Sequence, residues 1–191
     1  MEDNKREIKI GESFKVMEGN ISMVLDSYDA IFSDFDPRPY EERALSDDFL
    51  VECKKAVLAK KTGNVEVRLL IPTHLRKQND EIRIKKRLKD YFRKHFNEEK
   101  SVINGIKWRG IVWILLGSVI LTLSTLLFEY KGTMLPKLKL LWDFLFILSQ
   151  PAGWFMFWEG LGMVFLEAQQ EMPNYNFLKK MQSAEIYFLN Y

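Results

Sequence analysis

Glu159 is the residue whose placement raises the sharpest chemical question, because it interrupts an uncharged run covering residues 144–166. A charged side chain at the centre of a membrane span costs roughly 2.5–3.5 kcal/mol on insertion scales, so it normally faces protein or water. Gln150, Asp143 and Thr122 are the other polar groups in or beside apolar stretches. With Glu159 they form a candidate intramembrane polar site, the kind that lines a proton or cation pathway once several chains surround a common axis. The competing reading of Glu159 is positional and is the favoured one. It lies seven residues before Leu166, near the end of its run, where water or the cations Lys107 and Arg109 are within reach. Pro151 follows Gln150 and removes a backbone donor, so it predicts a kink whose freed carbonyls Gln150, Ser149 or Asp143 can satisfy.

No catalytic constellation accompanies these groups. His74 and His95 have no cysteine or second histidine at metal-ligand spacing. Residues 34–36 lack the glycine and closing glutamate of a calcium loop. Phosphate-cradling glycine loops, GxSxG and HExxH are all missing from the sequence. The expectation is therefore no enzymatic activity, no metal and no cofactor. Cys53 is the single cysteine, in the helical pattern SDDFLVECKKAVLAKK, where a buried structural thiol is expected. A net charge of +2 gives no basis for a nucleic-acid partner.

The elements that must carry the polar groups follow from hydropathy. Residues 110–128 are uncharged, and a helix of that length spans about 28 Å, close to the ~30 Å hydrocarbon thickness of a bilayer. Two spans, about 109–129 and 140–167, predict a transmembrane hairpin over 107–168. Gly110, Gly117 and Ser124 recur every seven residues, as do Gly153 and Gly160, giving helix-packing stripes where backbones approach closely. Hairpin packing is the favoured use of those stripes, with contacts between subunits as the alternative. Trp108, Trp113, Tyr130, Trp142, Trp154 and Trp158 cluster toward the span ends as an aromatic belt would.

Residues 81–109 hold ten Lys/Arg, against three lysines in the 129–139 loop and two in the tail. That asymmetry predicts an inner-membrane, multi-pass protein with both termini cytoplasmic. The N-terminal MEDNKREIKIGE has no apolar core of a cleavable signal. Lys100, Lys107, Arg109 and Trp108 are the expected lipid headgroup contacts. Arg83, Arg87 and Lys94 are also placed to pair with an acidic segment containing Asp29, Asp34, Asp36, Glu41 and Glu42, the favoured role for both charged regions.

Ahead of the hairpin, residues 20–106 predict a cytoplasmic α+β domain that includes the basic juxtamembrane helix. Residues 1–19 are expected to form an arm, with strand candidates at 7–10 and 14–17. Asn20 is placed to cap a helix through Ile21, Val24, Leu25, Tyr28, Ile31, Phe32 and Phe35, with a short strand near 23–26 as the alternative. Ser46 with Asp47 and Asp48 starts a helix that residues 62–64 end. Residues 65–72, VEVRLLIP, alternate as a half-buried strand does. A long helix opens at Asn79 and Asp80 and continues toward the first span, with a break placed at Gly105. The tail, 169–191, carries a strand at about 184–190 expected to rejoin the cytoplasmic sheet.

The order of these features resembles an uncharacterised prokaryotic family of small two-span membrane proteins. The likeness rests on DFDPRPYEERALSDDF, VEVRLLIP, DYFRKHF, GWFMFWEGL and the β-like tail, over about residues 30–190. Where that family has a basic residue and a proline after the tryptophan, this chain has Glu159 and Gly160. The resemblance implies an architecture and no activity. The expected function is an integral membrane protein presenting a small interaction or scaffold domain, contacting lipids, a cytoplasmic protein partner and copies of itself. The alternative is a subunit of an oligomeric channel or small transporter with Glu159 in or near its pathway.

Overall fold

Three short strands form one sheet in the computed structural model, which describes residues 20–59, 65–130 and 139–191. They are β1 (Asn20–Val24), β2 (Glu66–Ile71) and β3 (Glu185–Asn190), in the spatial order β1-β2-β3. Both pairings are parallel, with Val67 opposite Ile21 on one side and Ile186 on the other. Parallel neighbours need long crossovers, and helices supply them here. Helix α1 (Asp47–Ala59) joins β1 to β2. Between β2 and β3 come α2 (Gln78–Tyr130), α3 (Lys139–Gly162) and α4 (Met172–Ser183). A π-helical turn, Met163–Glu167, and a short helical stretch, Ala168–Gln170, follow α3. The chain is thus mostly helical, with a small parallel sheet and two long apolar helices.

Two compact units result. One comprises the described residues up to Asn97 together with Asn174–Tyr191, and the other is Glu98–Pro173. In the first, Ile21, Val67, Leu69, Ile71, Ile186 and Phe188 pack against the helices. Each helix contributes residues at helical spacing: Phe49, Cys53 and Val57 from α1, Ile84, Leu88 and Phe92 from α2, Phe177, Leu178 and Met181 from α4.

The expected C-terminal strand forms and pairs with β2 along its length, from Glu66 opposite Glu185 to Ile71 opposite Asn190. The expected helix from Asn20 through Phe35 does not form. Its first residues are β1, and a 3₁₀ turn, Tyr28–Ile31, follows. Pairing with β2 decides this: Ile21 is buried while Ser22 and Val24 are exposed, a two-residue period. An apolar run this short satisfies either period, and the sheet selects one. Helix α2 runs through Gly105 without the expected break. The strand candidates at 7–10 and 14–17, the 62–64 stop and most of the loop between the apolar helices lie outside the described residues.

A buried carboxylate ties the start of α2 to the 3₁₀ turn. Tyr28 donates its hydroxyl to Glu81 Oε1 at 3.0 Å and accepts the Lys77 backbone N–H at 3.0 Å. Arg76 donates to both Glu81 oxygens, at 2.8 and 3.0 Å. Burial pushes the Glu81 carboxyl up, but the bonds from Arg76 and Tyr28 outweigh it and hold the group below its ordinary value. A depressed folded-state pKa adds stability above the unfolded value of about 4.3, and that stability is lost as pH falls below it. Tyr28→Phe leaves Lys77 N–H and a Glu81 oxygen each short of one partner, at an expected cost of about 1–3 kcal/mol. Thermal unfolding of the full chain in detergent, followed by near-UV circular dichroism, measures the loss. Glu81→Gln should flatten the acid limb of the stability profile, and an unchanged acid limb would remove Glu81 as its source.

Candidate functional site

In the unit formed by Glu98–Pro173, the small-residue stripes of α2 and α3 meet each other. A Cβ built on Gly117 would stand 2.7 Å from Gly153 O and 2.7 Å from Phe157 N. One built on Gly160 would stand 2.5 Å from Gly110 O and 2.7 Å from Ile114 N. Both distances lie inside van der Waals contact with backbone, so only glycine fits. Continuing that seam, Ser124 is buried, donates to Leu121 O at 3.0 Å and accepts Gln150 Nε2 at 2.9 Å. Gln150 thereby spends its amide on the neighbouring helix one residue before Pro151, which α3 accommodates in its interior.

The seam also sets depth. Gly110 meets Gly160, and Gly117 meets Gly153, so the helices run antiparallel with matching seven-residue steps. Glu159 therefore sits level with Ile111, two residues from Arg109. It is exposed, beside rather than on the seam. Thr122 is also exposed and donates to Ser118 O at 2.8 Å. Asp143 is half-buried at the opposite end, lining a cavity of about 260 Å³ with Trp142, Ser149, Ser124 and Phe128. Gln150 and Ser124 are brought together and Asp143 lines the same cavity as Ser124, while Glu159 and Thr122 lie apart from them on exposed faces. Among the described residues of this unit, Glu159 does not join the Gln150, Ser124 and Asp143 group.

Lys100, Lys107, Trp108 and Arg109 are all exposed, Trp108 by 67%. Arg109 Nη2 stands 4.0 Å from Glu167 Oε1 in the π-helical turn, a loose exposed pair of little energetic weight. The Trp154 and Trp158 rings stack at 6.5 Å on the exposed side of α3.

In the α/β unit the basic helix and the acidic segment do meet. Arg83 Nε lies 3.2 Å from Glu41, and Arg87 Nε donates to Arg43 O at 3.0 Å. Arg43 in turn reaches Asp29 at 2.6 Å. Cys53 is buried with Sγ 3.9 Å from Met23 Sδ. Burial, with the Glu52 charge, pushes its thiol up to about 12, so it is not a nucleophile near neutral pH. No group of three or more His, Cys, Asp or Glu able to hold a metal occurs among the described residues.

One residue that periodicity assigned to an apolar helix face is instead fully outside. Phe35 is 97% exposed. Its loop is nonetheless braced by Asp36, whose carboxylate accepts Ala44 N–H at 2.7 Å, Arg38 N–H at 3.2 Å and three Arg38 guanidinium bonds at 2.9, 3.2 and 2.8 Å. Those Arg38 bonds, with the backbone donors, hold the Asp36 carboxyl well below the usual carboxylate range. Ser33 N–H donates to Ala44 O at 2.9 Å and closes the loop base. The sequence signal was available in Asp-Pro-Arg-Pro, which forbids a helix at 36–39 and favours an Asp-anchored turn. Farther along the same unit, Arg87, Asp90, Tyr91, Arg93, Lys94, His95 and Asn97 of α2 line a shallow cleft of about 420 Å³. Tyr91 and His95 pack ring to ring there at 4.2 Å.

No protein-family model matches the chain, and no curated protein or solved structure matches it either.

Proposed function

We propose that the chain is a membrane-anchored interaction module, in which α3 and the second half of α2 cross the membrane as a hairpin and present the α/β unit at its inner face. The observation that carries this reading is the bareness of the apolar helices. Their most apolar 18-residue windows have mean hydropathies of 2.4 and 1.3, yet only 11% and 6% of those residues are buried. A soluble core helix would be covered, and an uncovered surface of this kind belongs against lipid or protein. The flanks of both helices belong to one compact unit, which favours a single side of the membrane for that unit. The ten Lys/Arg of residues 81–109 favour the inner side. In this reading the module works by binding, to a cytoplasmic protein or to another copy, without catalysis. The channel alternative has less support, because Glu159 lies level with Ile111 near the basic flank and does not share a face with Gln150.

Cysteine accessibility tests the proposal. In a Cys53→Ser background, Thr133→Cys should react with an impermeant maleimide from outside intact cells, and Glu185→Cys only after permeabilisation. Labelling of both from the same side, or release of the protein by alkaline carbonate, would overturn the hairpin.

A further inference from the structure

We propose that Phe35 is the plug of a head-to-tail contact between copies of this chain, seated in the Arg87–Tyr91–Arg93–Lys94–His95 cleft of the neighbouring copy. A lone exposed apolar residue is ordinary on a protein surface. What distinguishes Phe35 is that its loop is locked by the Asp36 bonds, so the ring is held out at 97% exposure rather than left to fold back. A pre-ordered aromatic at a loop tip gives up little further conformational entropy on binding, the property that makes such residues anchors of interfaces.

The surroundings of the ring select the partner. Residues 29–48 contain seven Asp/Glu against two arginines, so the plug arrives in an acidic collar. That collar disfavours an anionic membrane surface as the receiving face. The cleft has the opposite sign: its lining carries Arg87, Arg93 and Lys94 against Asp90, which Arg93 holds at 3.1 Å. Its Tyr91–His95 pair offers aromatic contact, and its cations favour the face of a phenyl ring. Plug and socket thus occur on one chain with complementary charge, which also speeds encounter. Because they are different patches, the contact is heterologous, and repetition yields rings or chains. One side chain and its collar make a small, transient interface, so the test must capture the contact rather than await a stable complex. Both patches lie within the α/β unit, and the contact does not depend on the membrane reading.

The full-length chain with Phe35→p-benzoyl-phenylalanine, reconstituted in liposomes from equal light and ¹⁵N-labelled populations, provides that capture. Irradiation should give mixed-isotope cross-links mapping to residues 87–97. Arg93→Glu in the accepting chain should reduce them severalfold, while Lys179→Glu, an exposed position outside the cleft, should leave them unchanged. Circular dichroism confirms that each variant is folded. Cross-links that are absent, confined to one chain, directed to lipid, or located elsewhere on the partner copy would each overturn the proposal.

Discussion

Gly160→Ala and Gly117→Ala should unlatch α2 from α3, whereas Gly105→Ala should leave the pair intact or slightly firmer. The same added methyl meets opposite surroundings. At Gly160 and Gly117 it runs into backbone atoms of the facing helix at 2.5–2.7 Å, and backbone cannot rotate aside as a side chain does. The helices must separate, which opens the Gln150–Ser124 bond as well. Overpacking of this kind costs about 1–3 kcal/mol, and interhelical hydrogen bonds in membrane proteins average about 0.6 kcal/mol more. At Gly105 nothing lies within 4 Å of the added Cβ, and alanine in a helix interior is favoured over glycine by up to about 1 kcal/mol. Titrating the full chain from mild detergent into dodecyl sulfate, with tryptophan fluorescence as the readout, orders the three variants. Equal midpoints for Gly105→Ala and Gly160→Ala would mean that the glycine seam does not hold these helices together.

Truncation before Glu185 should abolish cooperative unfolding of the α/β unit, and Phe188→Ala should come close to doing so. Phe188 is 5% exposed, and its ring packs edge-on to Tyr28 at a centroid distance of 5.7 Å. Removing a buried phenyl costs about 3–5 kcal/mol, a large part of the 5–15 kcal/mol that keeps a typical domain folded. Truncation also strips β2 of one neighbour and takes Ile186 from the core. Leu189→Ala is the internal control: the residue adjoins Phe188 but is 38% exposed on the other face, so its loss should stay within about 1 kcal/mol. Near-UV circular dichroism and limited proteolysis of the intact and truncated chains decide the matter. A truncated protein that melts like the intact one would show that β3 is dispensable.

Both predictions rest on features that differ in how plainly the residues announce them. The long apolar helices and the alternation of Val67, Leu69 and Ile71 are properties of composition and spacing, and they recur in the structure, although Leu70 on the other face is buried as well. The return of the tail to β2 was legible for the same reason, since Ile186 and Phe188 alternate with Glu185 and Tyr187. In residues 20–35 the strand appeared only as the alternative, near 23–26 rather than 20–24, because Ile21, Leu25, Tyr28, Ile31 and Phe32 satisfy a helical period by accident while β2 recruits the first of them into a strand. Phe35 fell into the same pattern, and only the Asp36 turn, a matter of local hydrogen bonds, carries it outward. Glu159 shows a third kind of limit. Its neighbours in sequence fix that it lies in an apolar helix, but its depth relative to Arg109 depends on which glycine meets which across the seam.

The adjacency of β2 and β3 also has a consequence for how the chain is made. Synthesis delivers β1, α1 and β2 first, then both long apolar helices, and only after them the strand that pairs with the other edge of β2. Until then β2 offers an unpaired edge and half-covered apolar side chains, the state most exposed to mispairing and to proteases. The α/β unit therefore cannot mature ahead of the apolar helices. Any stall or truncation within them yields an unfinished sheet rather than a free, folded domain.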